Sequence, residues 1–71
     1  MAWSQSVFSS MISEVSYDEE RQVLTVTFSK GGVYEYDGVA EGTATSLANA
    51  PSVGAMFLAE IRDQYPTRRV R

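Results

Sequence analysis

Cysteine and histidine are both absent from this chain of 71 residues. Their absence excludes a disulfide framework, a zinc site with cysteine or histidine ligands, and catalysis by a cysteine or histidine nucleophile or base. Long apolar runs are absent too, since no window approaches the ~18 apolar residues that a membrane-spanning helix needs. The first stretch, MAWSQSVFSSMI, has no basic residue and does not resemble a signal peptide. The lack of cysteine is compatible with a cytoplasmic location.

The short length predicts one small domain over residues 1–71, with a core at about 9–65 and a basic tail at 66–71. A chain of this size buries only about 60% of the surface that it exposes when unfolded. Small domains therefore commonly add a disulfide, a metal or a partner chain. With no cysteine or histidine and no metal or cofactor site expected, the sequence predicts a homo-oligomer.

Positive charge is scarce outside the C-terminus. The chain has 6 basic and 9 acidic residues, and three of the basic ones are Arg68, Arg69 and Arg71. Residues 1–67 therefore hold 3 basic and 9 acidic residues, a net charge of −6. Such a body disfavours non-specific nucleic-acid binding, whose main term is phosphate neutralisation by Lys and Arg. The arginine tail is available for phosphate, although a frayed, solvated terminus is the simpler expectation.

The first half of the chain predicts three β-strands. Apolar and polar residues alternate over 11–17 and 22–29, and a third strand is expected over 32–37. The charged connection DEER at 18–21 is typical of a hairpin loop. The KGG connection at 30–32 supplies glycines that tolerate positive φ. The result is a three-stranded antiparallel meander.

The second half predicts two helices. The first spans 39–50 and is interrupted by Pro51, whose ring cannot continue the preceding turn. Ser52 is a suitable N-cap for the second helix, 53–65, which carries an apolar stripe and ends before Pro66. The expected fold is α+β in the order β-β-β-α-α, with both helices packed on one face of the sheet.

The motif Tyr34-Glu35-Tyr36 places two rings on one face of the third strand. The loop before it decides which face, because a slip of one residue turns a strand over. A two-residue loop, Lys30-Gly31, pairs Phe28 with residue 33 and turns both rings away from the apolar side of the second strand. The rings would then form an exposed platform.

A three-residue loop, 30–32, has the opposite consequence. It pairs Phe28 with Tyr34, places Tyr36 opposite residue 26, and turns both rings toward the core. Gly32 suits the left-handed residue that commonly ends a loop of this length. We favour this register because it collects the large apolar residues on one side of the sheet.

The favoured register leaves a second sheet face that is β-branched and acidic. Its carboxylates Glu14, Glu35 and Asp37 would repel phosphate. A second copy of the same face is therefore a better partner than a nucleic acid. The candidate oligomer face consists of Ile12, Val23, Thr25, Thr27 and Val33.

Four segments, taken in order, resemble the KTSC domain family: SEVSYD at 13–18, LTVTFSKGGVYEYDGV at 24–39, LANAPSVGAMF at 47–57 and IRDQY at 61–65. The family is named after the C-terminus of some lysyl-tRNA synthetases and also occurs as small bacterial or phage proteins. Its central mark is the Tyr-any-Tyr motif. The resemblance implies no established activity. It implies RNA binding only as a suggestion, which would involve the two tyrosines if they are exposed.

Other motifs have simple structural explanations. The acidic DEE at 18–20 lacks the spacing and the glycine of a calcium loop and is expected to be a solvated turn. The SKGG run at 29–32 joins two strands instead of opening a helix, so a phosphate cradle is not expected. The PSVG run at 51–54 does open a helix and is the best candidate anion site. Trp3 is a loose end, an interface anchor or a lid over the sheet.

The sequence thus predicts a binding module and not an enzyme, with two candidate functions. The first is a contact with RNA or a nucleotide, made by the basic tail and the second helix start with an aromatic ring stacking. The residues proposed for it are Arg68, Arg69, Arg71, Ser52, Val53, Gly54, Trp3, Tyr34 and Tyr36. The second is a homo-oligomeric protein-interaction or inhibitor module of a phage or bacterium, which binds a host protein or sequesters a small ligand between subunits.

Overall fold

The computed structural model describes residues 2–71 and confirms an α+β fold built on an antiparallel sheet. The sheet has five strands and not three, and they lie side by side in chain order. The strands are β1 (Ala2–Ser6), β2 (Ile12–Asp18), β3 (Val23–Phe28), β4 (Val33–Asp37) and β5 (Thr67–Arg69). The helices are α1 (Glu41–Ala48) and α2 (Val53–Met56), which continues as a π-helical turn (Phe57–Ile61).

The core lies between one face of the sheet and the helices, as predicted. A single cluster of buried side chains joins the two layers. Its sheet members include Val15, Tyr17, Leu24, Val26 and Tyr36, and its helical members include Ala44, Leu47, Val53, Phe57 and Ile61. None of the helices formed by residues 2–71 is long and apolar enough to cross a membrane.

Strand β1 was not predicted because four of its five residues are exposed and its sequence shows no apolar alternation. Its side chains nevertheless contact both the sheet and the helical layer. Trp3 pairs with Tyr17 across the strands, with ring centroids 5.9 Å apart. The Gln5 side-chain amide donates to the carbonyl of Ala48 at 3.0 Å. Trp3 is therefore packed against the core and is not a loose end.

The prediction of a frayed basic tail is wrong. Residues Thr67–Arg69 form β5, which pairs antiparallel with β4 at the edge of the sheet. Pro66, which lacks an N–H, lies immediately before the strand, at the end of the segment that connects the second helix to β5. Arginine side chains project from this short edge strand, which discourages pairing with further strands.

The register of β3 and β4 differs from the prediction, although the predicted face is correct. Val26 lies opposite Tyr34 and Leu24 lies opposite Tyr36, two residues away from the expected pairing. The loop has three residues, as predicted, but it covers 29–31 instead of 30–32. Phe28 and Gly32 close it, since the Phe28 N–H donates to the Gly32 carbonyl, and the Gly31 N–H donates to the Phe28 carbonyl. A shift of two residues preserves the side-chain alternation, so both tyrosines still point toward the core layer.

Ile12 was expected on the open face of the sheet, and this prediction is wrong. The β2–β3 register shifts between Ile12 and Glu14, so strict alternation fails at Ser13. This β-bulge turns Ile12 toward the core, where it is fully buried. Val23 pairs with Asp37 and lies on the open face, as predicted, but it is only 3% exposed and is not available to a partner. Of the candidate oligomer face, only Thr25, Thr27 and Val33 remain half-buried on that surface.

The helices are shorter than predicted. The first covers residues 41–48 and begins after Ala40, which supplies no side-chain cap. The Ser52 cap is confirmed, since its hydroxyl oxygen accepts the N–H of Ala55 at 3.3 Å. The π-helical turn ends with the Arg62 N–H bonded to the Phe57 carbonyl at 2.9 Å, and Asp63 then adopts a left-handed φ of 62°. This residue redirects the chain toward β5.

Candidate functional site

A groove of about 460 Å³ opens where the β3–β4 turn meets the second helix. Its walls are apolar and largely aromatic, and one exposed arginine borders it. The lining residues are Met11, Phe28, Gly31, Tyr34, Tyr36, Phe57, Leu58 and Arg62. No carboxylate lines it, so the groove suits a flat or apolar group with a nearby negative charge.

Tyr34 forms the partly exposed aromatic edge of this groove. Its ring meets that of Phe28 edge-on at 5.5 Å, and the Arg69 guanidinium carbon lies 5.8 Å from the ring centre. A Cβ on Gly32 would come within 3.1 Å of the Tyr34 ring, and Gly32 also has a φ of 96°. Glycine at this position therefore allows the backbone to pass beside the ring.

Tyr36 lies deeper and belongs to the core, with only 5% of its surface exposed. It packs edge-on against Phe57, with ring centroids 5.7 Å apart. Burial raises the pKa of the Tyr36 phenol above its ordinary value. The two tyrosines of the motif thus share a face, but only Tyr34 is accessible to a ligand.

Tyr17 is a third tyrosine with a defined structural role, which the sequence did not reveal. Its hydroxyl donates to the Val39 carbonyl at 2.6 Å in the core. Burial raises the pKa of this phenol, with Glu41 and Glu19 adding to the effect. The bond ties β2 to the segment that leads into α1.

The arginines of the basic tail have different surroundings. Arg68 lies over the open face of the sheet and bonds Glu35 at 2.8 Å and Asp37 at 2.7 Å. These contacts neutralise its charge and lower the pKa of the Asp37 carboxyl. Arg69 lies on the groove side beside Tyr34, and its Nε donates to the backbone carbonyl of Arg71.

Charge is separated along the strand direction. The hairpin end of the sheet, defined as residues 7–11, 29–32 and 69–71, contains three basic residues and no acidic one. The carboxylate end, residues 18–22 and 37–41, contains five acidic residues and one basic residue. Five of the nine acidic residues therefore lie at the far end of the strands from the groove, whereas Asp63 lies beside it, 3.8 Å from the Arg62 side chain.

The PSVG segment lies beside a second cavity of about 390 Å³. Ser52 and Gly54 line it together with Phe8, Met11 and Leu58. The predicted anion site there has weak structural support, because α2 has only four α-helical residues and the Ser52 hydroxyl is already used in capping. Serine hydroxyls and apolar side chains both line this cavity, and no charged residue does.

Trp3 is separated from the candidate residues of the basic tail. It lies on β1, whereas Arg68 and Arg69 lie on β5 at the opposite edge of the sheet. A third cavity of about 270 Å³ adjoins Trp3 and the end of α1. The structure therefore places Tyr34 and Tyr36 on the walls of the groove, with Arg69 beside the Tyr34 ring. It places Ser52, Val53 and Gly54 at the second cavity and Trp3 at a third.

The acidic turn is a structural feature. The Asp18 carboxylate accepts the N–H groups of Glu20 and Arg21 and so caps the β2–β3 turn. A side-chain hydrogen bond with Glu19 raises the pKa of the Glu41 carboxyl. Within residues 2–71, no group of three or more His, Cys, Asp or Glu side chains is arranged to hold a metal ion.

Sequence reasoning missed several groove residues. Met11 and Leu58 border both main cavities, and Arg62 borders the larger one. Their positions depend on how the β1–β2 loop meets the second helix, a long-range contact that no local pattern encodes. The apolar residues VF at 7–8 in an otherwise polar stretch were the available signal.

Comparison with known proteins places the chain among small domains of one type. The profile of the KTSC domain family matches residues 8–65. A KTSC domain protein from Yersinia pestis has 30% sequence identity and a solved structure that matches with a TM-score of 0.93, covering 100% of both chains.

Two further relatives show the contexts in which such segments occur. An uncharacterised protein of Stutzerimonas stutzeri is 35% identical over 57 residues, which is 80% of either chain. A lysine–tRNA ligase of Nostoc punctiforme is 39% identical over 56 residues, covering 79% of this chain but only 10% of the ligase. The profile, the shared fold and these relatives agree, and the chain belongs to the KTSC domain family.

Proposed function

We propose that the chain is a small non-catalytic binding module that contacts single-stranded RNA or a nucleotide at the hairpin end, in the cytoplasm. The observation that carries the proposal is the position of the partly exposed Tyr34 ring. It lies at the groove, beside Arg69, in the part of the sheet whose segments contain basic residues and no acidic ones. Exposed rings beside positive charge are the elements of a single-strand binding surface.

The groups at the hairpin end divide into two roles. Arg69, Arg71 and Lys30 supply positive charge for phosphate, and Arg62 borders the groove. The Tyr34 ring offers the aromatic surface against which a base stacks. Arg68 is removed from the proposed contact because two carboxylates already neutralise it.

Two features support a non-catalytic role. The larger cavity is lined by one charged residue, Arg62, and by no carboxylate, so it lacks a general acid–base pair on its walls. The core described for residues 2–71 contains no buried polar or charged residue. The groove residue with a shifted pKa is Tyr36, and burial raises that pKa, which favours the protonated phenol.

The relatives add support for RNA as the ligand. One of them is a lysine–tRNA ligase, an enzyme named for a tRNA substrate, and the matched segment is a tenth of its length. A domain appended to such an enzyme is well placed to add contacts to RNA. The activity of the whole ligase is not transferred to this chain.

Fluorescence anisotropy of a short labelled single-stranded RNA, titrated at low and at moderate salt, tests the proposal. We expect salt-dependent binding, and its slope should fall by about 0.7 for each phosphate that an Arg69→Gln, Arg71→Gln variant no longer neutralises. Tyr34→Ala should weaken binding by about 1–3 kcal/mol for one stacked base. Arg21→Gln at the carboxylate end is the matched control and should bind as the wild type does. Absence of binding, or equal weakening in the control, contradicts the proposal.

A second candidate function is a homo-oligomeric protein-interaction or inhibitor module. The specific observation in its favour is the exposure of two large apolar side chains, Phe8 and Leu58, next to the grooves. Exposed contiguous apolar surface commonly marks a protein interface. The open sheet face is a poorer candidate, because Ile12 is buried in the core and the Arg68 ion pairs make that face polar.

A further inference from the structure

Strand β5 places two adjacent arginines on opposite faces of the sheet. Arg68 lies opposite Glu35 on the open face, and Arg69 lies opposite Tyr34 on the groove side. Because side chains alternate along a strand, a slip of one residue would exchange the two arginines. The cation that reaches the groove therefore depends on the register of a strand of only three residues.

Side chains decide this register, because every residue offers the same backbone N–H and C=O groups except proline. Arg68 Nε donates to Glu35 Oε1 at 2.8 Å, and its Nη1 donates to Asp37 Oδ2 at 2.7 Å. The guanidinium thus spans two carboxylates that lie on the same face of β4. A planar group of fixed geometry that is bound at two points resists sliding along the strand as well as detachment.

On the groove side, the same register sets the position of Arg69. Its guanidinium carbon lies 5.8 Å from the centre of the Tyr34 ring, and its Nε donates to the Arg71 carbonyl at 3.0 Å. A Cβ on Gly32 would lie 3.8 Å from Arg69 Nη2, so the hairpin passes beside the guanidinium. These contacts include no carboxylate, so β5 is held more firmly on the open face than on the groove side.

We propose that Arg68 is the positioning residue of the RNA site, and that Glu35 and Asp37 support RNA binding by holding it. Carboxylates near a phosphate-binding surface ordinarily oppose binding. Here both are bound to Arg68 on the open face, and they fix the register that presents Arg69 beside the Tyr34 ring. The inference rests on the RNA contact proposed above and names the residues that keep its cation in place.

Removing the two carboxylates distinguishes positioning from charge. Glu35→Gln combined with Asp37→Asn removes two negative charges and no basic residue. If the carboxylates act only as charges, RNA binding should tighten and its salt slope should not fall. If they hold Arg68 in place, β5 loosens, and the slope should fall by about 0.7, as it does when one phosphate contact is lost.

RNA anisotropy over a range of salt concentrations, combined with amide hydrogen exchange of the protein alone, tests the proposal. We expect the carboxylate variant to bind RNA about fivefold more weakly at about 0.1 M salt. The Val70 N–H, which donates to the Val33 carbonyl at 2.8 Å, should exchange at least about tenfold faster. Glu14→Gln with Glu60→Gln, at two exposed positions outside β4 and β5, is the matched control and should keep the wild-type slope and exchange rate.

A covalent replacement for the ion pairs tests the role of position by itself. Residues 35 and 68 lie directly opposite each other, and such pairs have Cα atoms about 4.5–5.5 Å apart, within the range of a disulfide. Because the chain has no cysteine, Glu35→Cys with Arg68→Cys forms a single intramolecular disulfide. The oxidised variant should bind RNA with the wild-type slope although it lacks Arg68, and the reduced variant should bind weakly.

The outcomes separate this inference from the function on which it rests. A wild type that does not bind RNA removes both. A wild type that binds, with a folded carboxylate variant that binds as tightly or more tightly, overturns the inference alone. An oxidised disulfide variant that binds no better than its reduced form also overturns it, and this comparison stands even if the carboxylate variant does not fold.

Discussion

At the scale of single residues, the two tyrosines of the Tyr34-Glu35-Tyr36 motif have separate roles despite sharing a sheet face. Tyr36 lies opposite Leu24 within the core, whereas Tyr34 lies nearer the hairpin end, where the sheet is less covered by the helices. Position along the strand therefore decides exposure. The motif that marks the family mainly maintains the fold through Tyr36, and only Tyr34 remains available for binding.

This division predicts unequal effects of truncation. Tyr36→Ala should lower the free energy of unfolding by about 3–5 kcal/mol, because it leaves a cavity against Phe57. Tyr34→Ala should cost about 1–2 kcal/mol, because its ring is already partly solvated. Urea unfolding followed by circular dichroism measures both. Equal losses in the two variants would show that the rings are equally buried.

At the scale of elements, β5 is held by backbone pairing with β4 and by the side chain of Arg68. It has only three residues, all exposed, and Arg68 bonds both Glu35 and Asp37 on β4. These bonds hold the Asp37 pKa below its ordinary value near 3.8. Because the folded state then binds this proton less readily than the unfolded chain, the stabilisation is present above that ordinary value.

The stabilisation provided by β5 should therefore depend on pH. As pH falls through the lowered Asp37 pKa, the stabilisation from the Arg68 contact disappears, and the melting temperature should drop more in the wild type than in Arg68→Gln. Glu41 has a raised pKa and acts with the opposite sign, so its contribution is lost as pH rises. The wild type and Arg68→Gln are therefore compared with Glu41→Gln added to each, which removes the opposing contribution of Glu41. Identical acid profiles would contradict the role given to Arg68.

The second helix offers a test of its cap. The Ser52 hydroxyl oxygen accepts the Ala55 N–H, so Ser52→Ala should lower the free energy of unfolding by about 1 kcal/mol. Ser46→Ala is the matched control, because Ser46 is an exposed residue within α1. Chemical denaturation of the two variants provides the comparison. A cost that is the same for both would mean that the cap contributes nothing.

Local patterns predicted the elements that have strong alternation or clear end signals. Clean alternation predicted β3, the glycine-rich loop predicted the face of Tyr34, and Ser52 predicted the helix start. Local patterns missed the β-bulge at Ser13, because a bulge is an insertion into pairing and leaves no compositional mark. Strand β5 was missed because three residues carry too little periodicity to identify a strand.

At the scale of the whole molecule, the arrangement of charge matters more than its total. The net charge of −6 over residues 1–67 argued against non-specific nucleic-acid binding, yet the strand order collects five acidic residues at the carboxylate end and leaves the hairpin end basic. Composition could not predict this separation, because it depends on which turns lie at the same end of the sheet. The candidate site likewise joins Met11, Phe28 and Leu58 only through the folded contacts of three elements.

Titration of isotope-labelled protein with a short single-stranded RNA, followed by amide NMR shifts, tests most directly that the hairpin end is the binding surface. We predict that the shifts are concentrated in residues 30–34 and 69–71, fade as salt rises, and leave residues 18–22 unchanged. No shifts at excess RNA, or shifts centred on residues 18–22, would contradict the account.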